Sequence, residues 1–152
     1  MIFKERPPKF KSSFRAVGCL IIHGGKFLLL HRVRDKTWGA PGGGVNPGED
    51  DLTAIKREIN EETGMIFHKK DLRLSTTVFV RNKLTGDFEY VIFSYELPKL
   101  IPIVLSRTEH DTYYWFTPEQ ALKLPTLIAD MDACVKLFFR TKLNPSGVPS
   151  SR

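Results

Sequence analysis

A chain of 152 residues, with 41% hydrophobic and 26% charged residues, has the size and composition of one ordinary domain and gives no reason to look for a second core. Its net charge of +6 suits anionic partners, whether nucleotides, nucleic acid or acidic surfaces, and the dispersal of its Lys and Arg residues leaves that choice open. No apolar run approaches the roughly 20 residues that span a bilayer, and the basic, Pro-containing residues 1–13 lack the apolar core of a secretory signal, so a cytoplasmic protein with no membrane partner is expected.

In chain order, residues 1–13 read as a basic extension, 14–143 as the folded domain and 144–152 as a flexible tail. Residues 14–22 and 26–31 are apolar strand patterns joined at His23-Gly24-Gly25, whose glycines allow the positive φ of a hairpin turn. A Gly/Pro-rich stretch from Trp38 to Gly48 then leads into a helical pattern over 50–63, which Gly64 is placed to end. Residues 72–81 and 88–97 read as strands about the turn Leu84-Thr85-Gly86-Asp87, with a shorter strand over 113–116. Helices are expected over 118–124 and 127–142. Cys19 and Cys134 lie far apart in apolar surroundings without metal-ligand spacing, which points to buried thiols. Helices interspersed with a mixed sheet predict an α/β (α+β) sandwich.

The helix over 50–63 carries the chemistry. Leu52, Ile55 and Ile59 form its apolar stripe, and Glu58, Glu61 and Glu62, at spacings of three and four, share a neighbouring face. Carboxylates so placed repel one another unless a positive charge lies among them, and oxygen ligands favour Mg²⁺, with Mn²⁺ as a substitute, over thiol-loving metals. Such an ion offsets charge on phosphoryl oxygens and lowers the pKa of a bound water. A P-loop does not account for Gly42-Gly43-Gly44, because no Gly-Lys-Ser/Thr follows.

Read from Gly43, the sequence runs through five residues to Glu49, seven more to Arg57-Glu58-Ile59, then Glu61-Glu62 and Gly64-Met65, each after one intervening residue. This pattern resembles the Nudix box at every specified position, and average residue frequencies produce it by chance in fewer than about one in a million chains of this length. The resemblance implies a Nudix-type α/β/α sandwich with a mixed sheet between helices. It also implies a MutT-like hydrolase that cleaves a diphosphate linkage in a nucleoside triphosphate or other nucleoside diphosphate derivative. Nucleoside diphosphate sugars, capped RNA and a non-catalytic nucleotide-binding role are the alternatives. Its partner would be a small nucleotide, its assembly a monomer or homodimer.

By the same resemblance Glu58, Glu61 and Glu62 are metal ligands and Arg57 pairs with Glu49 to orient the helix. A backbone carbonyl near the first box glycine, at Gly42, joins the metal shell. Arg32 and Arg34 fall where the family places substrate contacts, and their charge suits a phosphate. Trp38 is a candidate for stacking on a base. Glu109, with His110 second, is the candidate general base, from a segment preceding Trp115-Phe116. The proline that accompanies ADP-ribose hydrolysis would fall at Val80-Arg81-Asn82, where there is none. The tyrosine associated with dinucleoside polyphosphates is also missing from that window.

Overall fold

A computed structural model describes residues 1–129 and 131–143; the tail expected over 144–152 lies outside them. The described elements are β1 (Ile2–Phe3), β2 (Phe14–His23), β3 (Lys26–Arg32), β4 (Trp38–Gly39), β5 (Gly42–Gly44), α1 (Asp51–Thr63), β6 (Arg73–Val80), β7 (Phe88–Glu96), β8 (His110–Phe116), α2 (Pro118–Leu122) and α3 (Met131–Leu143).

Strands β2 and β3 are apolar at successive positions because both of their faces are covered. Val17, Cys19, Ile21, Leu28 and Leu30 pack toward Ala54, Ile55 and Ile59 of α1. The alternate residues Leu20, Ile22, Phe27 and Leu29 pack toward Met131, Val135, Phe138 and Phe139 of α3. The period of two thus divides one sheet between two cores, giving the α/β/α sandwich with a mixed sheet. Both cysteines are buried thiols, one in each core.

The hairpin between β2 and β3 is held only at its closed end, by Ile22↔Phe27 and His23↔Lys26. Beyond it β2 pairs in parallel with β7 and antiparallel with β5, while β3 turns to β8 and β4. The sheet order is β1-β6-β7-β2-β3-β4, with β5 added on β2 and β8 on β3. Divergence of β2 from β3 makes room for the side-chain-free β5 beside the first half of β2.

Three expectations change in detail. Strand β8 begins at His110 rather than 113, because His110 pairs with Arg32 across a register shift at His31/Arg32. The helix expected from 127 begins at Met131: the Trp38 amide donates to the Thr126 carbonyl and the Ile128 amide donates to the Trp38 carbonyl, so 126–128 is committed to pairing with β4. Helix α2 stops at Leu122. Within the segment read as a basic extension, Ile2 and Phe3 form an edge strand on β6.

Candidate active site

Helix α1 is set by local signals at both ends. The Asp50 side chain accepts the Thr53 amide at 2.7 Å, and Gly64 at φ 75° returns its own amide to the Asn60 carbonyl. Tertiary contacts then fix its direction. Arg15 of β2 donates through Nε and Nη2 to the two oxygens of Asp51 at 2.7 and 2.8 Å, and through Nη1 to Glu89 of β7. Arg57 donates Nε and Nη2 to Glu49 at 2.8 and 3.0 Å, Nη2 to the Gly44 carbonyl at 3.0 Å, and Nη1 to both Glu58 and Glu61 at 2.8 Å. One guanidinium therefore links the glycine loop, β5 and two of the helix carboxylates, a task that its planar fork of donors suits.

Strand β5 has a geometric reason to be Gly42-Gly43-Gly44. A Cβ at Gly43 would lie 2.5 Å from Glu58 Oε1, and one at Gly42 would lie 2.2 Å from the Val17 carbonyl oxygen. Without side chains there, Glu58 and Glu62 approach the sheet backbone, and Glu62 reaches the cleft past β5. The Gly42 amide donates to Glu62 Oε1 at 2.7 Å.

Glu62 is buried, and burial is the largest cause pushing its carboxyl up to about 8, with Glu58, Glu109 and Glu61 adding repulsion. Burial also raises Glu58, against the opposing pull of Arg57. Across the cleft, the start of β8 brings in Glu109 and His110. Ligand atoms of Glu62, Glu109 and His110 lie within 4.8 Å of one another, and His110 Nε2 is 4.0 Å from Glu62 Oε2. His110 Nδ1 is buried without a hydrogen-bond partner, and burial lowers the pKa of the ring. Asp111 points elsewhere, accepting from His31 at 2.7 Å.

These residues fit a divalent cation. A buried carboxylate crowded by like charges is a group whose cost a cation would offset, His110 Nε2 stands 4.0 Å from it, and the donors are mostly oxygen.

Glu62 and Glu109 open on a cleft of about 660 Å³ whose lining also includes Arg32, Arg34, Gly42 and His110, while Glu58 and Glu61, both held by Arg57, are not among its lining residues. Its other wall was not anticipated from the sequence. Phe14 of β2 pairs with Phe88 of β7, which pairs with Val80 of β6, which pairs with Ile2 of β1, and all four line the cleft. The Phe14 and Phe88 rings stack at 4.6 Å and 17°, and Tyr90 meets Phe88 edge-on at 6.3 Å. The Tyr90 hydroxyl lies over Gly18, where a Cβ would be only 2.0 Å away. Phe14, Phe88 and Tyr90 alternate along their strands as inward residues do, but nothing local said that β2 and β7 are neighbours. Trp38 is not among the lining residues: its ring packs against Phe116 at 5.2 Å and His31 at 5.0 Å, beside the α3 core.

The family model described as NUDIX domain matches residues 13–138. The chain belongs to the Nudix family. Among solved Nudix relatives, the MutT protein of Methanosarcina mazei Go1 is 27% identical, with a TM-score of 0.76 over 88% of this chain and 98% of that one. A Caenorhabditis elegans Ap4A hydrolase is 29% identical, with a TM-score of 0.64 over 83% of this chain and 95% of that one. The RNA pyrophosphohydrolase of Yersinia enterocolitica is 42% identical over 62 residues, which is 40% of this chain and 34% of that enzyme. Nudix hydrolases generally use divalent metals, and the Glu62, Glu109 and His110 group of this Nudix chain could hold one. No helix among the described residues is long and apolar enough to cross a membrane.

Proposed function

We propose that this Nudix protein hydrolyses the diphosphate linkage of a nucleoside triphosphate or another nucleoside diphosphate derivative, with Mg²⁺ as its ion and Mn²⁺ as a substitute. One observation carries the reading: a single cleft is lined by the carboxylates Glu62 and Glu109, by two arginines and by a stacked aromatic pair. That combination matches charged phosphates attached to a planar ring.

Glu58, Glu61 and Glu62 would hold the ion, with Glu109 and His110 facing them. When bound, it would offset negative charge on the phosphoryl oxygens and acidify an attached water. Arg57 keeps Glu58 and Glu61 in place while Glu49 anchors Arg57. Arg32 and Arg34 would bind the outer phosphates by charge-assisted hydrogen bonds. Glu109 is the first choice to take the proton of the attacking water: it is exposed at the cleft mouth beside the carboxylates. His110 is the second, since burial favours its neutral, proton-accepting form. Phe14, Phe88 and Tyr90 would receive the base.

A reading as a hydrolase of RNA 5′ ends is favoured by the Yersinia relative and by the net charge of +6. Turnover of nucleoside triphosphates, sugar nucleotides, dinucleoside polyphosphates, ADP-ribose, and triphosphate-ended and capped RNA, measured with Mg²⁺ and with products identified, separates the readings. Release of no phosphate-containing product from any of these would defeat the proposal. Activity confined to RNA, falling steeply with salt, would shift it to the second reading.

A further inference from the structure

The cleft extends beyond the stacked pair. Counting across the sheet from β5, which carries the carboxylate contacts, the lining passes through β2, β7 and β6 to β1. At the usual interstrand spacing those four steps cover about 19 Å. Ile2 therefore stands at the far end, opposite Val80 and next to the β6–β7 turn that contributes Asn82 and Thr85 to the same cleft.

A two-residue edge strand is a weak element by itself, and this one is pinned from the face turned away from the cleft. Alternation sends Ile2 to the cleft and Phe3 to the other side, where Arg81 lies 5.8 Å over the Phe3 ring. Phe3 pairs with Phe79, whose ring meets buried Phe10 edge-on at 5.5 Å. The Arg6 guanidinium lies 5.1 Å over Phe79 and 5.8 Å over Phe10, and it forms an ion pair with Glu89. Glu89 in turn receives Arg15, which holds Asp51 at the first turn of α1. The segment bearing Ile2 is thus anchored to the same polar network that ties down the helix of carboxylates, through contacts on the far face, while Ile2 itself is partly buried against the core and lines the cleft.

We infer that Ile2, at the end of the cross-strand row Phe14–Phe88–Val80–Ile2, is a specificity-determining residue that limits the size of the ring system admitted to the cleft. The inference rests on the proposed base-binding end of the site, but not on the chemistry at the other end. A ring system set against the Phe14–Phe88 pair would extend along the row toward Val80. Ile2 closes that direction with an apolar side chain that offers no hydrogen bond, so it would discriminate by size. Its position lies outside the motif that defines the family, in a segment whose sequence alone suggests only a basic extension.

The test uses Ile2→Trp to shorten the cleft and Ile2→Ala to lengthen it. Two readouts are needed: KM and kcat for ATP and CTP with Mg²⁺, and equilibrium binding of both nucleotides in excess chelator. Ile2→Trp is expected to weaken ATP about tenfold relative to CTP in both KM and metal-free binding, with a smaller change in kcat. Ile2→Ala is expected to improve acceptance of an enlarged purine, etheno-ATP, relative to ATP. Equal changes for large and small rings, or no change in either variant, would overturn the inference. If the wild-type protein hydrolyses neither nucleotide but Ile2→Trp still selectively weakens ATP binding in chelator, the proposed reaction fails and the wall stands.

Discussion

The Gly42 amide and the Glu62 carboxylate meet at 2.7 Å, joining the strand without side chains to the one helix carboxylate that is buried. The remaining oxygen of Glu62 faces His110 at 4.0 Å. Glu62 is therefore held from one side by the glycine strand while its other side is turned to the residues of β8.

This arrangement gives stability a pH dependence of definite sign. In the metal-free fold Glu62 is raised from 4.5 to about 8, so the folded protein keeps a proton that the unfolded chain has released. The associated stability is fully present below 4.5 and is lost as pH rises through about 8. His110, lowered by burial, acts oppositely, costing stability as pH falls through its depressed pKa. In excess chelator, the Tm of wild type should fall relative to Glu62→Gln between about pH 5 and pH 8, because the His110 contribution is common to both. Saturating Mg²⁺ should remove the difference in slope. Parallel Tm curves in chelator would show that Glu62 is not raised.

Glu61→Gln and Glu62→Gln should each lower kcat by about 10² to 10³ with smaller effects on KM, since glutamine keeps the shape and removes the charge that holds the ion. Arg34→Ala should chiefly raise KM, because Arg34 lines the cleft away from the carboxylate cluster's anchoring contacts. Activity should vanish in chelator, and Zn²⁺ should be an inferior substitute in a site with one imidazole and no thiolate. Near-normal kcat in both folded glutamine variants would remove these residues from the metal centre.

Neighbouring glycines should fail in different ways. At Gly43 the added methyl meets the Glu58 carboxylate, the movable end of a side chain, so Gly43→Ala should stay folded while kcat falls about tenfold or more as Glu58 is displaced. At Gly42 the methyl meets the Val17 carbonyl and Gly18 backbone, so Gly42→Ala should lose about 1 to 3 kcal/mol of stability. Thermal unfolding alongside initial rates distinguishes the two. The reverse pattern would mean that β5 is thin for some other reason.

Trp38→Leu should lower Tm and leave KM nearly unchanged. Its ring contacts Phe116 and His31 rather than the cleft, and its backbone aligns residues 126–128. The loss expected for a partly buried aromatic is about 1 to 3 kcal/mol, below the full cost of emptying a core site. A large rise in KM without loss of Tm would return Trp38 to the substrate.

What was legible in the sequence was whatever a few consecutive turns of chain decide. Asp50, the apolar stripe through Ile55 and Ile59, and Gly64 define α1 from within, and the same periodicity brings Glu58, Glu61 and Glu62 together. The glycines of the His23-Gly24-Gly25 turn, with φ of 57° and 76° at the latter two, likewise specify a hairpin locally. Strand pairing between distant segments was decided only by the tertiary structure, because an apolar alternating strand has two usable edges and its sequence does not say which neighbour will satisfy either one. Hence the parallel placement of β7 on β2, the stacking of Phe14 on Phe88 and the position of Ile2 beyond Val80 emerge only in the folded sheet. The facing of His110 and Arg32 has the same origin: a register shift, set by the partner strand, extends β8 three residues beyond its local pattern and carries an imidazole to the carboxylates.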